Sequence, residues 1–260
     1  MENPGKFPFG EDVRVLTQKD STPKEYFVIG SYASAVHASW FDMSGKMISR
    51  ALAVANEPEI LWTGNSFEAM SIINRVSCPP DAGRLSDPGK IMNGGVGRLF
   101  SVEILKPLNI LRSDVWFTLL IPFTVANKGQ RKSLNRYKRI CGQFKLPESS
   151  ILPSNIKSSL ITEQRIKEIL NELEESKAEV IITLGDLPLH HFIRLFDSSK
   201  VNLSAFVKYG AVNNIEINNK MYKLLPLYHP KSGENIGSYT EKWMHIHQEW
   251  KRFDASKIQI

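Results

Sequence analysis

Five apolar runs mark the chain: YFVIG at 26–30, RALAVA at 50–55, VWFTLLI at 115–121, EVIITLG at 179–185 and YKLLPLY at 222–228. Each is nearly continuous rather than alternating, the pattern of strands covered on both faces of a mainly parallel sheet. The stretch VNNIEINNKMYKL differs. There Ile215 and Ile217 alternate with polar residues ahead of Asn218–Asn219, a pair that tolerates positive φ, so it predicts a hairpin into the last strand. Between the strands the apolar period becomes helical. Thr162 is placed to cap EQRIKEILNELEESKA, with Ile166, Ile169, Leu170 and Leu173 on one face. A short helix DLPLHHFIRLF is entered through Gly185 and Asp186, with Pro188 in its first turn. A last helix starts near Ser238, with Glu241 completing a capping box, and sets Trp243, Ile246, His247, Trp250 and Phe253 along one stripe. Strands alternating with helices predict an α/β fold, a three-layer α/β/α sandwich around a mainly parallel central sheet.

The chain has 260 residues, enough for one well-cored domain across 1–260, with 1–24 as an N-terminal extension. The Gly- and Pro-rich stretch at 77–98 is the least regular part and reads as a functional loop. NGGVG at 93–97 lacks the dinucleotide fingerprint and reads as a DNA-contacting or lid loop, or as plain linker. Two cysteines, Cys78 and Cys141, exclude a disulfide scaffold and a four-cysteine cluster, and point to a reducing cytosol. The first residues have no apolar core of signal-peptide type, and no segment is long and apolar enough to span a bilayer, so a cytoplasmic protein is expected, with no membrane partner.

Charge changes the picture by its distribution. The net charge is only +6, but NKGQRKSLNRYKR gathers Lys128, Arg131, Lys132, Arg136, Lys138 and Arg139, whereas TEQRIKEILNELEESKAE is mainly acidic. Such segregation fits one polyanion-facing side; the plainer reading is a solvated loop and helix face. Parallel sheets bind ligands beyond the carboxyl ends of their strands. That gathers the loop after Gly30, the segment NEPEILW, the loop PFTVANKGQRK and the segment HPKSGENIGS. His190–His191 and His245/His247 have the wrong spacing for shared ligation on a helix, and no metal site or cofactor is expected.

Four short segments in order resemble the uracil-DNA glycosylase superfamily. FVIGSYASA is similar to that family's first motif, an apolar strand, a Gly and a water-positioning loop. VWFTLLIPFTVANKGQRKS looks like its second strand, EVIITLGDLPLHHFI its strand-to-helix segment, and LPLYHPKSG its His-Pro-Ser motif. Together they cover Tyr26 to about Tyr239, and GSYASAVHASW…RALAVANEPEILWTG looks like an atypical branch. The resemblance implies a uracil-DNA-glycosylase-like sandwich, a monomer, that flips a base from DNA and hydrolyses its N-glycosidic bond to leave an abasic site. It implies that His229 donates to the departing base. Lys231, Ser232 and Asn235 then lie in the loop that grips the duplex, with Lys128, Arg131 and Lys132 as further DNA contacts. The base pocket it implies is drawn from Gly30, Ser31, Tyr32, Ala33, Ser34, Thr118 and Leu119, with His37 and Trp40 near the mouth.

The departures from the family are equally informative. Tyr32 stands where a carboxylate or amide holds the attacking water, and a phenol with a reference pKa of about 10 is a poor base at neutral pH. Leu119 stands where an Asn often reads uracil. The missing acid is then sought at Glu57 first, at a strand's carboxyl end, with Glu59 beside it, and at Asp42; the plainer readings are a turn before Pro58 for Glu57 and a turn before Ser44–Gly45 for Asp42. His37 and Trp40 read either as base-stacking groups or as packed core. The expectation is a metal-free glycosylase acting on a modified or foreign base, a modified pyrimidine rather than plain uracil. The alternatives are an inactive DNA-binding protein of the same fold and an ordinary uracil-DNA glycosylase.

Overall fold

A computed structural model describes residues 4–89, 92–230, 237–255 and 258, with the backbone alone at 156–157 and 237–240. Its strands are β1 (Tyr26–Ala33), β2 (Ala35–Phe41), β3 (Met47–Asn56), β4 (Arg84–Ser86), β5 (Val115–Thr124), β6 (Val180–Leu184), β7 (Asn213–Ile217) and β8 (Lys220–Leu227). The fold is mixed α/β, with helices and a mostly parallel five-stranded sheet. The chain divides into two compact units. One holds Met1–Leu16, Tyr32–Gly97 and Pro122–Lys157; the other holds Thr17–Ser31, Arg98–Ile121 and Ser158–Ile260. Each is assembled from three separate segments, so no single cut in the sequence separates them. No helix among the described residues is long and apolar enough to cross a membrane.

The second unit is built on the five-stranded sheet, ordered β5-β1-β6-β8-β7. β1 runs parallel to β6 and β6 to β8, while β7 returns antiparallel on the edge. The continuous apolar runs have their expected cause. All ten residues of β5 and all five of β6 are buried. β7 alternates because an edge hairpin wets one face. The hairpin turns on Asn218 and Asn219 at φ of 51° and 62°, as the asparagine pair predicts. The helix Glu163–Ser176 is capped by Thr162, whose hydroxyl accepts the Arg165 amide, and it lays Ile169 and Leu173 on a core with Phe27, Ile29 and Leu120. The helix Asp186–His191 follows Gly185 with Pro188 in its first turn. The last helix is Gly237–Phe253, and it buries Trp243, His247 and Trp250. Phe253 is exposed and so leaves the expected stripe. The Ser238–Glu241 capping box falls on a residue whose side chain lies outside the described set.

Three expectations are corrected. RALAVA does not join the parallel sheet. It is the inner half of β3, in a separate antiparallel sheet ordered β3-β2-β4. Its burial is continuous from Leu52 onward, where the helix Lys128–Ile140 packs on β3 in the same unit; a run covered on both faces reads alike in either kind of sheet. Gly30 does not end its strand either, since β1 continues to Ala33 and Ser34 alone separates it from β2. Gly30 answers a close approach within the second unit: a Cβ there would lie 2.7 Å from Leu119 Cδ2. The expected Ser/Ala-rich loop is therefore strand, with β2 central in its sheet. Lastly, β5 runs past Ile121 through Pro122, which an edge strand tolerates. The expected basic loop is mostly the helix Lys128–Ile140, started by a capping box between Asn127 and Gln130.

Candidate functional site

In the second unit the carboxyl ends of β6 and β8 meet. The Gly185 amide donates to the Leu227 carbonyl (2.7 Å), extending the ladder by one bond. Gly185 has φ of 80°, and a Cβ on it would lie 3.3 Å from the His229 Cβ. Glycine at 185 thus allows both the left-handed turn into the next helix and the close seat of His229. Asp186 then accepts the Leu203 amide, which ties the following loop to this edge. His229 is half-buried, open enough to meet a ligand. Gly30 and Ser31 lie just past the last pair of β1 with β6, Ile29 with Thr183. Lys231, Ser232 and Asn235, expected to grip the duplex, lie outside the described residues.

Thr118 and Leu119 are assigned a different task from the one expected. Arg165, 5% exposed, sends all five of its N–H donors to acceptors. Nε and Nη2 reach the Leu119 carbonyl (3.1 and 3.0 Å), Nη2 also reaches Thr118 Oγ1 (2.7 Å), and Nη1 reaches Glu168 and Glu172 (3.1 and 2.7 Å). Thr118, 1% exposed, therefore cannot offer its hydroxyl to a base, a correction to its place in the expected pocket. Leu119 is 3% exposed and fills the space left by Gly30, so it is packing rather than a reader. Arg165 has two partners on its own helix, but the sequence gives no sign of the two on a distant strand, Thr118 and Leu119. Arg165→Leu would leave two carboxylates without their cation and the Leu119 carbonyl without donors. The expected loss is about 3 kcal/mol of stability, read as a lowered urea midpoint with an unchanged slope.

The first unit holds a polar cluster around His37. Asn93 brackets the His37 backbone: its Oδ1 accepts the His37 amide (2.8 Å) and its Nδ2 donates to the His37 carbonyl (3.0 Å) and to Asp87 (3.1 Å). This amide serves where β2 has no second strand partner, since its pairing with β4 starts only at Ser39. Gln130 fixes the ring. Its Oε1 accepts the Asn127 amide, so its Nε2 faces His37 Nε2 at 2.9 Å and must be the donor. His37 Nε2 then accepts, and the neutral ring carries its proton on Nδ1. The NGGVG segment is therefore not plain linker. Asn93 is buried, and a Cβ on Gly97 would strike the Leu61 carbonyl at 2.0 Å, so close backbone packing demands glycine.

Other expected residues of this unit separate clearly. Trp40 is fully buried, donates from Nε1 to the Ala82 carbonyl (2.7 Å) and packs among Phe9 and Tyr137. It is core and cannot stack on a base, a correction that follows from its volume and central strand. Asp42 is corrected too. Its Oδ1 accepts the Ser44 amide and hydroxyl and the Lys46 amide, closing a turn after β2. The Ser44 hydroxyl leads these in holding its carboxyl below the usual range, which weakens it as a base. Glu57 is 3% exposed, just past the end of β3. Tyr32 and Ser34 are half-buried, Ala33 is buried, and the Ser34 carbonyl accepts the Thr124 hydroxyl (3.0 Å).

On the helix Lys128–Ile140 the buried residues are Leu134 and Tyr137, while Arg131, Lys132, Arg136, Lys138 and Arg139 are exposed and Lys128 is at the helix start. At the helical turn angle the six fall within an arc of about 160° on the opposite face, and Lys128 to Arg139 spans about 17 Å. Arg131 donates to Asn155 and Arg136 to the Ile48 carbonyl, both neutral oxygens. Among the described residues no ion pair neutralises any of the six. Nor does any group of three or more His, Cys, Asp or Glu among those residues form a metal cluster. Comparison with models of protein families finds no match, and neither does comparison with curated proteins.

Proposed function

We propose that the chain is a DNA glycosylase with a uracil-DNA-glycosylase-like α/β/α sandwich, excising a modified or foreign base rather than plain uracil. One observation carries the reading. The four family-like segments are β1, β5, β6 and β8, four neighbouring strands of one sheet, and His229 follows the last by two residues, its Cβ 3.3 Å from where a Cβ on Gly185 would lie. A His at a parallel sheet's carboxyl edge is where a donor to a leaving base is needed.

In this reading DNA is held by the basic helix and the target nucleotide is flipped out. The glycosidic bond breaks with its electron pair going to the base, and His229 hydrogen-bonds the oxygen on which that charge develops. The oxygen of a water bonds to the sugar C1′, and the proton that the water loses balances the base anion. The preference for a base other than uracil rests on the sequence resemblance, in which Tyr32 stands where the family has a carboxylate or amide.

A second reading is a DNA-binding protein of this fold without chemistry. It is favoured by Thr118 and the Leu119 carbonyl being committed to Arg165. Abasic-site formation on duplexes carrying uracil, thymine mismatches and modified cytosines separates the two: product on a modified base supports the first, and salt-sensitive binding without product supports the second.

A further inference from the structure

Beside His229 lies a buried relay that the reaction above does not use. The Tyr228 amide donates to Tyr209 Oη (2.9 Å), which lies 2.6 Å from His247 Nδ1. His247 Nε2 lies 3.1 Å from the backbone carbonyl of Glu103, in the π-helical turn Ser101–Leu105. A carbonyl only accepts, so Nε2 carries the ring proton. Nδ1 is then an acceptor, and the Tyr209 hydroxyl must donate to it. Only one arrangement satisfies every member: Tyr228 N–H to Tyr209 O–H to His247 Nδ1, with His247 Nε2–H to Glu103. His247 is 2% exposed, and the rings of Tyr209, Tyr228 and Trp250 surround it.

We propose that His247 and Tyr209 are positioning residues for His229: they hold the Tyr228 amide, and with it the backbone from which His229 projects. The inference rests on the glycosylase reading for its kinetic consequence, but not for its geometry. A Cβ on Gly185 would lie 3.3 Å from the His229 Cβ, so the backbone there sits close on one side, and the relay holds the amide of the preceding residue. Backbone that shifts when this hydrogen bond is lost carries the imidazole with it, and a donor misplaced by about 1 Å costs about a hundredfold in rate.

The charged and titratable groups facing His247 are Tyr209, Tyr228, Glu103 and Lys251. Burial holds the His247 pKa below its usual 6.5, against an opposing pull from the Glu103 carbonyl and carboxylate. Burial also keeps the Tyr209 phenol protonated well above the ordinary range. The Glu103 carboxyl is pushed up by burial, but hydrogen bonds from Lys251 and Gln248 outweigh that and hold it low. A depressed base binds fewer protons in the folded state. The relay's contribution is therefore complete above pH 6.5 and is lost as pH falls through the lowered value.

The test uses the full chain with Tyr209→Phe, His247→Leu and His247→Asn, read by His229 ring NMR signals and by excision of a base the wild type cuts. Asn keeps an acceptor near the place of Nδ1, whereas Leu removes it. Tyr209→Phe and His247→Leu are expected to shift the His229 ring signals and to lower kcat about tenfold to a hundredfold, with KM within about twofold. His247→Asn is expected to recover most of both. Ring signals that coincide with wild type in a folded Tyr209→Phe would overturn the proposal, as would equal damage from Asn and Leu at 247. A wild type that cuts no base would refute the glycosylase reading, and the ring signals would then decide the positioning role alone.

Discussion

Replacing His229 by Ala is expected to lower base excision by about a thousandfold while the fold survives. The magnitude is that of removing one aimed donor from a developing anion. His229 is half-buried at a strand end, so its truncation leaves no large cavity, and the melting temperature should move little. Its seat is not replaceable by a neighbour, because Gly185 has no side chain and Tyr228 is 7% exposed with its amide held by Tyr209. His229→Gln, which keeps a neutral donor, should retain more activity than Ala. Single-turnover excision on the preferred duplex measures both, and wild-type rates for the Ala variant would remove His229 from the mechanism.

The second large effect is on DNA affinity. Lys128, Lys132 and Arg139 lie on the solvent side of their helix and take part in no ion pair among the described residues, so Gln at all three removes charge without breaking internal bonds. Every phosphate that loses its cation reduces the slope of log affinity against log salt by about 0.9, so the triple variant should flatten it by about 2.7. At low salt the affinity should fall about a hundredfold, and equally for all sequences, because phosphates carry no base information. Fluorescence anisotropy across a salt series gives both quantities. An unchanged slope would place the nucleic acid elsewhere on the molecule.

How much of this was legible in the chain depends on the range of the interactions. The Thr162 cap and the Asn218–Asn219 turn rest on neighbours within a few residues, and both are found where the pattern puts them. β5, β6 and the second half of β8 announce themselves because two-sided burial leaves a continuous apolar run. The same signal misplaced RALAVA, since it reports burial and not the partner strand. Gly30 was misread for a related reason: a glycine that admits Leu119 and a glycine that ends a strand look alike in sequence. Asn93 and Gln130 reach His37 across 56 and 93 residues, and Arg165 reaches Thr118 across 47. Only the Asn127–Gln130 capping box among these left a local trace, in NKGQ. The Tyr209–His247 relay left none, because its members become neighbours only when β8, the last helix and the π-turn are packed.

The central claim is that this sheet edge cuts a modified base from DNA with His229 as the donor. Abasic-site formation by the wild-type chain, measured on matched duplexes that differ only in one base, tests it most directly. The account predicts strand scission after alkali on at least one modified-cytosine or other modified-pyrimidine duplex, with uracil a poorer substrate and no product from His229→Ala. Efficient cutting of uracil alone would contradict the altered substrate, and tight, salt-sensitive binding with no product on any duplex would contradict the chemistry itself.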